Sequence, residues 1–149
     1  MRAVVQRARR ARVEVGGEVT GAIERGLVAF VGAETGDTDT DLAYMVNKVV
    51  GLRVFSDEAG KMNRSLAEVG GALLVVSQFT VFGDVRRGLR PAFDGAMEPV
   101  AAERLYDRFV EQTRARGLLV STGRFRADMT VHVENDGPVT ILIDSRRLL

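Results

Sequence analysis

The chain has no cysteine, no tryptophan and a single histidine among its 149 residues. Without cysteine there is neither a disulfide framework nor a thiolate metal site. The lone His132 lies in the alternating stretch Thr130-Val131-His132-Val133-Glu134, which makes it a solvent-facing strand residue rather than a reacting one. A Ser-His-Asp triad would have to be built on it, and no nucleophile-elbow sequence exists to carry the serine. Metal centres of the histidine and cysteine kind are therefore unavailable. An all-carboxylate magnesium site stays open, but the acids are scattered over helix starts and turns. Walker-type and dinucleotide glycine fingerprints are both missing. No apolar run approaches the ~18 residues of a membrane span. Met1 to Val5 contains no sustained apolar core of a signal peptide, so a cytoplasmic protein is expected. A chain without cysteine also suits other compartments. Charge is nearly balanced, at +1, so the overall basic excess of many nucleic-acid binders is lacking. An enzyme built from this inventory works with hydroxyls, amides, backbone groups or the substrate's own atoms, and neither a metal nor a cofactor is expected.

What is present is an ordinary globular composition, 46% apolar and 28% charged, in a length that suits one domain over residues 1–149. The first thirty residues read as strands. Arg12 to Val15 and Glu18 to Thr20 flank Gly16-Gly17, a pair suited to a two-residue hairpin turn. Leu27 to Val31 is a further strand. From Asp37 the period changes, with Leu42, Met45, Val46, Val49 and Val50 at helical spacing and Asp37, Asp39 and Asp41 crowding the first turn. Gly51 marks the stop. Arg53 to Phe55 is a short strand candidate, and Ala72 to Val76 is a continuous apolar run of the kind buried on both faces. A polar, arginine-bearing loop runs from about Gly83 to Gly95. A second helix starts at Glu98-Pro99, carries Ala102, Leu105, Tyr106, Phe109 and Val110 on its apolar stripe, and ends at Gly117. Strands at Leu118 to Thr122, Met129 to Glu134 and Val139 to Ile143 complete a mixed α/β domain, two helices covering a largely antiparallel sheet system.

Two segments stand out for chemistry. Ser77-Gln78-Phe79-Thr80 follows the buried strand, where a rigid sheet can offer backbone N–H groups and short hydroxyls to a ligand. On composition alone it also reads as a plain strand end with Phe79 in the core. Asn135-Asp136-Gly137-Pro138-Val139-Thr140 lies between two β-branched stretches and reads as a hairpin turn. Two arginine groups are also conspicuous, Arg2, Arg7, Arg9, Arg10 and Arg12 at the start and Arg86, Arg87 and Arg90 in the polar loop. Each reads equally well as a solvated face.

Together, Ser77-Gln78-Phe79-Thr80 and Gly137-Pro138-Val139-Thr140 resemble the paired signature of the D-aminoacyl-tRNA deacylase family. The resemblance extends through Met1-Arg2-Ala3-Val4-Val5-Gln6-Arg7, Gly60-Lys61-Met62-Asn63, Val69-Gly70-Gly71, Gly88-Leu89-Arg90-Pro91, Thr122-Gly123-Arg124-Phe125 and Ala127-Asp128-Met129. Val85, Arg87 and Ala92 depart from the usual Thr, Lys and Ser, and Arg87 keeps the charge. The resemblance implies a barrel-like sheet domain with two helices on one side, acting as a metal-free and cofactor-free esterase on D-aminoacyl-tRNA. It implies a homodimer in which a tip carrying Gly137-Pro138, with a cis bond, enters the partner's site and leaves no room for an L side chain. Glycyl-tRNA, having no side chain to reject, is expected to pass. Ser77, Gln78, Phe79 and Thr80 then hold the terminal adenosine and the ester carbonyl, with the Phe79 N–H as an oxyanion-type donor. By the same resemblance Phe125 and Met129 line the adenine pocket and Arg7 braces the inserted segment. Thr80 can be written as a nucleophile, or the RNA's 2′-hydroxyl can assist instead, and the second is preferred because no base for Thr80 is visible. Against this stand a non-catalytic RNA-binding module, a small-molecule esterase acting through Thr80, and a structural dimer in which both motifs are turns.

Overall fold

The amino-terminal strand is the hub of the main sheet and pairs with three of its other strands. The computed structural model describes residues 1–149. Strand β1 (Arg2–Val15) is followed by β2 (Glu18–Ile23) and β3 (Gly26–Gly32), helix α1 (Asp39–Gly51), and a small hairpin of β4 (Phe55–Ser56) and β5 (Met62–Arg64). Then come β6 (Ala72–Ser77), a 3-10 helix (Phe79–Phe82), helix α2 (Pro99–Arg114), β7 (Leu119–Thr122) and β8 (Thr130–Asp144). The sheet order is β2-β1-β3-β6-β7, with β8 added along β1. The Ser121 hydroxyl of β7 donates to the Ala22 carbonyl of β2 at 3.1 Å, which brings the two ends of that order together and makes the sheet barrel-like.

Alternation along β1 and β3 sorts side chains onto two faces. Ala3, Val5, Leu27, Ala29, Val31, Leu73 and Val75 face the helices and form the larger core with Leu42, Met45, Val46 and Val49 of α1 and Leu105, Phe109 and Val110 of α2. Val13, Val28, Leu74 and Val76 face the other way into a smaller core inside the curled sheet. Both helices therefore cover one side, as expected. They begin where their side chains can satisfy free N–H groups. The Asp41 carboxylate accepts the Thr38 N–H at 2.8 Å, and Glu98 accepts the N–H groups of Val100 and Ala101 at 3.0 and 2.6 Å. No helix is long and apolar enough to cross a membrane.

The sheet is largely antiparallel, as expected: every β1 pairing is antiparallel, and β3–β6 and β6–β7 are parallel. Two expectations are revised. The first concerns 129–143, which is no hairpin. It is one strand, β8, running along β1 with Thr140 opposite Gln6 and Asn135 opposite Ala8. The register slips between those pairs, so Asp136 to Val139 form a bulge. Turn residues were read correctly as an interruption and wrongly as a reversal. The second is Phe79, a residue 55% exposed instead of lying in the core.

Candidate active site

The parallel run β3–β6 delivers the first segment to one end of the sheet. Val31 pairs with Ser77, and Gln78 N–H still donates to Val31 O at 2.9 Å. The chain then tightens into the 3-10 helix and lies across the end of β3. That crossing needs a residue without a side chain. A Cβ built on Gly32 would sit 2.5 Å from Val81 Cγ2 and 2.7 Å from the Gln78 carbonyl. Gly32 thus seats the whole Ser77–Phe82 segment, and its role is visible only once the approach is seen.

Within the segment, Val81 N–H reaches Gln78 O at 3.5 Å and Gly83 N–H reaches Thr80 O at 2.9 Å. The N–H groups of Phe79 and Thr80 open the 3-10 helix ahead of these bonds, where no carbonyl within the helix can accept them. The Gln78 side-chain amide donates to the Thr80 hydroxyl at 3.0 Å. No hydrogen bond joins the Thr80 hydroxyl to a carboxylate or an imidazole, although Glu98 and Asp128 line the same cleft. His132 is carried on β8, half-exposed, with Nε2 3.5 Å from Glu14.

Ser77, Gln78, Phe79 and Thr80 line one wall of an open cleft of about 900 Å³. Phe125 and Met129 line it as well, on the connection between β7 and β8. That connection turns through Arg126 in the left-handed region, at φ 62°. Phe125 packs on Tyr106 of α2 with ring centres 5.8 Å apart. Tyr106 itself donates to Val75 O at 3.0 Å, and burial pushes its phenol well above the ordinary tyrosine value, so it stays a neutral donor. Six of the expected site residues are therefore brought together. Phe30, Phe93 and Met97 share the cleft and were not anticipated. Phe93 meets the Phe79 ring edge-on at 5.0 Å. An aromatic in an otherwise polar loop was the available signal for it.

The remaining three expected residues are elsewhere. Gly137 and Pro138 are exposed on the β8 bulge, and the peptide bond between them is cis. Arg7 projects from β1 beneath them. Its Nε donates to the Asp136 carbonyl at 3.1 Å and its Nη1 to the Val54 carbonyl at 2.6 Å. Gly137 has φ +129°, and a Cβ there would meet Val139 Cγ2 at 2.8 Å and Arg7 Nη2 at 3.1 Å. Ser77 is level with Val31, and Val31 with Ala3 on β1. Ala3 and Arg7 are about 13 Å apart along that strand, and β6 to β8 is three strand spacings, about 14 Å. Measured along the sheet, the bulge and Ser77 of one chain are thus on the order of 20 Å apart.

Comparison with known proteins agrees over the whole length. Residues 4–144 match the family described as D-Tyr-tRNA(Tyr) deacylase. The D-aminoacyl-tRNA deacylase of Sorangium cellulosum is 74% identical over 99% of both chains, and that of Symbiobacterium thermophilum is 60% identical over 99% of this chain and 97% of its own. A solved structure of a c-Myc DNA Unwinding Element Binding Protein superposes with a TM-score of 0.92 at 46% identity, covering 97% of this chain and 98% of that one. A probable eukaryotic D-amino acid tRNA deacylase superposes at 0.79 with 20% identity, over 95% and 97% of the two chains, which speaks to the fold alone. Full-length identity at this level, on a chain carrying both signature segments, leaves one conclusion: it belongs to the D-aminoacyl-tRNA deacylase family of ester hydrolases.

Proposed function

We propose that the chain works as a homodimer in which the Ser77–Thr80 cleft holds the terminal adenosine and ester of D-aminoacyl-tRNA, while Gly137 and Pro138 of the partner subunit exclude L-aminoacyl esters. The observation that carries the chemical half is the environment of Thr80. Its hydroxyl receives a hydrogen bond from the Gln78 amide and donates to no carboxylate or imidazole that could take its proton. Such a threonine is a positioning group, not an activated nucleophile. The free N–H groups of Phe79 and Thr80 are suited to stabilise an oxyanion as water adds to the ester carbonyl. Cleavage of the acyl C–O bond then returns a proton to the departing 3′-oxygen, with the neighbouring 2′-hydroxyl as the nearest carrier. An aminoacyl ester is already reactive, and positioning alone is worth several kcal/mol in such reactions, on the order of 7 or more. Phe125 and Met129 supply an apolar wall for the adenine.

The dimer is supported by what one chain leaves undone. Measured along the sheet, the bulge is on the order of 20 Å from Ser77 of its own chain, so a meeting of Gly137 with the Ser77–Thr80 segment calls for a second copy. Strand β8 is fifteen residues long and bonded to β1 alone, leaving an unpaired edge beside the exposed Leu142. Arg7 holds the bulge in place from below. Rejection by backbone, with no side chain reading the substrate, leaves glycyl-tRNA acceptable as well. Charged tRNA as substrate places the work in the cytoplasm.

The deciding experiment is deacylation of matched D- and L-tyrosyl-tRNA by catalytic amounts of protein in EDTA. Release of the D-amino acid alone is expected. Equal release of both would leave the esterase and remove the proposed role of Gly137 and Pro138. An acyl-Thr80 adduct trapped under single-turnover conditions would refute the positioning role of Thr80.

A further inference from the structure

The arginine group at 86–90 is not used by anything described so far. It sits on an excursion that leaves the cleft rim at Gly83 and returns at Phe93, whose ring packs on Phe79. The base of the excursion is tied by reciprocal bonds, Asp84 N–H to Ala92 O at 2.8 Å and Ala92 N–H to Asp84 O at 2.9 Å. Between those ties the residues from Val85 to Pro91 are exposed. Side chains of Arg86, Arg87 and Arg90 line a concave surface there. They are not equivalent. Arg86 folds back on Asp84 with Nη2 2.6 Å from the carboxylate and Nε at 2.9 Å, and this pairing holds the Asp84 carboxyl down at about 2. That ion pair is internal to the loop and stiffens it across the neutral pH range. Arg87 and Arg90 make no ion pair and no hydrogen bond through their side chains, and Asp94 is the one other acid on the surface they line. Across the cleft, Arg126 stands on the opposite rim.

We infer that the loop from Gly83 to Phe93 is a backbone clamp for the acceptor end of the tRNA, with Arg87 and Arg90 gripping the phosphates immediately 5′ of the terminal nucleoside. This rests on the proposal that the Ser77–Thr80 cleft holds that nucleoside. The reach fits. At most four residues separate each tie from the tip, so at about 3.3 Å per residue the arginines stand within roughly 13 Å of the rim. A guanidinium is planar and permanently charged, with paired donors that suit a phosphate. The remainder of the chain is nearly neutral, so affinity for RNA must come from local clusters such as this one rather than from overall charge. Contacts of this kind position the substrate and carry no sequence information, as a protein acting on many tRNAs requires.

The test compares two substrates of different length, D-tyrosyl-tRNA and the D-tyrosyl ester of adenosine alone. In Arg87→Ala/Arg90→Ala, KM for the charged tRNA should rise about tenfold at moderate salt with kcat within about twofold, because phosphate contacts contribute uniform binding. The plot of log kcat/KM against log salt should flatten by about 0.7 per arginine removed. Hydrolysis of the adenosine ester should not change, which also shows that the variant is folded. Arg87→Lys/Arg90→Lys should recover most of the loss, and Arg116→Ala, beyond the far end of α2, should behave as wild type. Equal damage to both substrates, or no change in either, would overturn the clamp. If the wild-type chain hydrolyses neither D-ester, the reading of the cleft fails. The loop is then judged by binding of uncharged tRNA at two salt concentrations, where equal affinity of wild type and the double alanine variant overturns it.

Discussion

The two ends of the sheet hold their functional residues in opposite ways. At the end reached by β6, a short segment is pressed against Gly32 and surrounds a cleft whose walls come from the β3 end, the 3-10 helix, the loop before α2 and the β7–β8 connection. At the other end, Gly137 and Pro138 stand outward on a bulge, with Arg7 holding the Asp136 carbonyl from beneath and Asn135 Oδ1 accepting the Val139 N–H across it. The first region is concave and presents N–H groups and hydroxyls. The second is convex and presents carbonyl-bearing backbone with no side chain to recognise anything. On the proposed reading, binding and refusal fall to separate pieces of one strand system, and two copies related by a two-fold axis would bring them together.

The strongest way to break this division is Gly32→Val. The new side chain would claim the space of the Gln78 carbonyl and Val81, and a displacement near 1 Å lowers catalysis about 100-fold. Rates on D-tyrosyl-tRNA should fall by at least that order while L-tyrosyl-tRNA stays at background. Full activity would mean that the segment is not seated by Gly32. Gly137→Ala attacks the other region. Its backbone conformation and the crowding by Val139 and Arg7 cost roughly 1–3 kcal/mol of stability by their kind. Side by side rates with D- and L-tyrosyl-tRNA should show the ratio falling about tenfold or more, since a shifted bulge refuses less. Unchanged selectivity would detach the bulge from the filter.

Smaller effects sharpen the comparison. Arg7→Ala removes two hydrogen bonds from a charged donor and should lower unfolding free energy by about 2 kcal/mol in denaturant titrations. Selectivity should fall by less than in Gly137→Ala, because the bulge is loosened rather than rebuilt. Phe125→Ala should raise KM about threefold to tenfold with kcat preserved, as the loss of a wall that binds ground state and transition state alike. Least of all, Thr80→Ala should cost under about tenfold in kcat, a positioning hydroxyl and no more. A loss of several thousandfold there would restore the nucleophile.

How much of this was legible in the sequence depends on which forces set each part. Both helices were, because their apolar residues recur at helical spacing and their starts carry Asp37 to Asp41 and Glu98-Pro99. The buried run of β6 was legible as buried, yet its parallel partners were not, since pairing direction is decided by chain routing rather than by residues. Asn135-Asp136-Gly137-Pro138 misled because a bulge and a hairpin use the same conformationally permissive residues. Residue chemistry alone left Phe79 in the core, and only the likeness of two tetrapeptides to a known family drew it out with Phe125 and Met129. Gly32 was silent. A glycine needed for close approach looks like any other until the neighbour is known.

The lining of the cleft has a consequence for life under oxidative stress. A hydrolase of this composition offers peroxide no thiol to attack and no metal to oxidise through a cysteine ligand. Apart from the exposed Met62 on β5, the thioethers open to oxidation are Met97 and Met129, both partly exposed on the cleft wall. Conversion to the sulfoxide would place a polar oxygen on the wall proposed for the adenine, and reductases that act on methionine sulfoxide would take it away again. Damage would then be graded and repairable, read as weakened substrate capture with the backbone N–H groups of Phe79 and Thr80 left chemically intact.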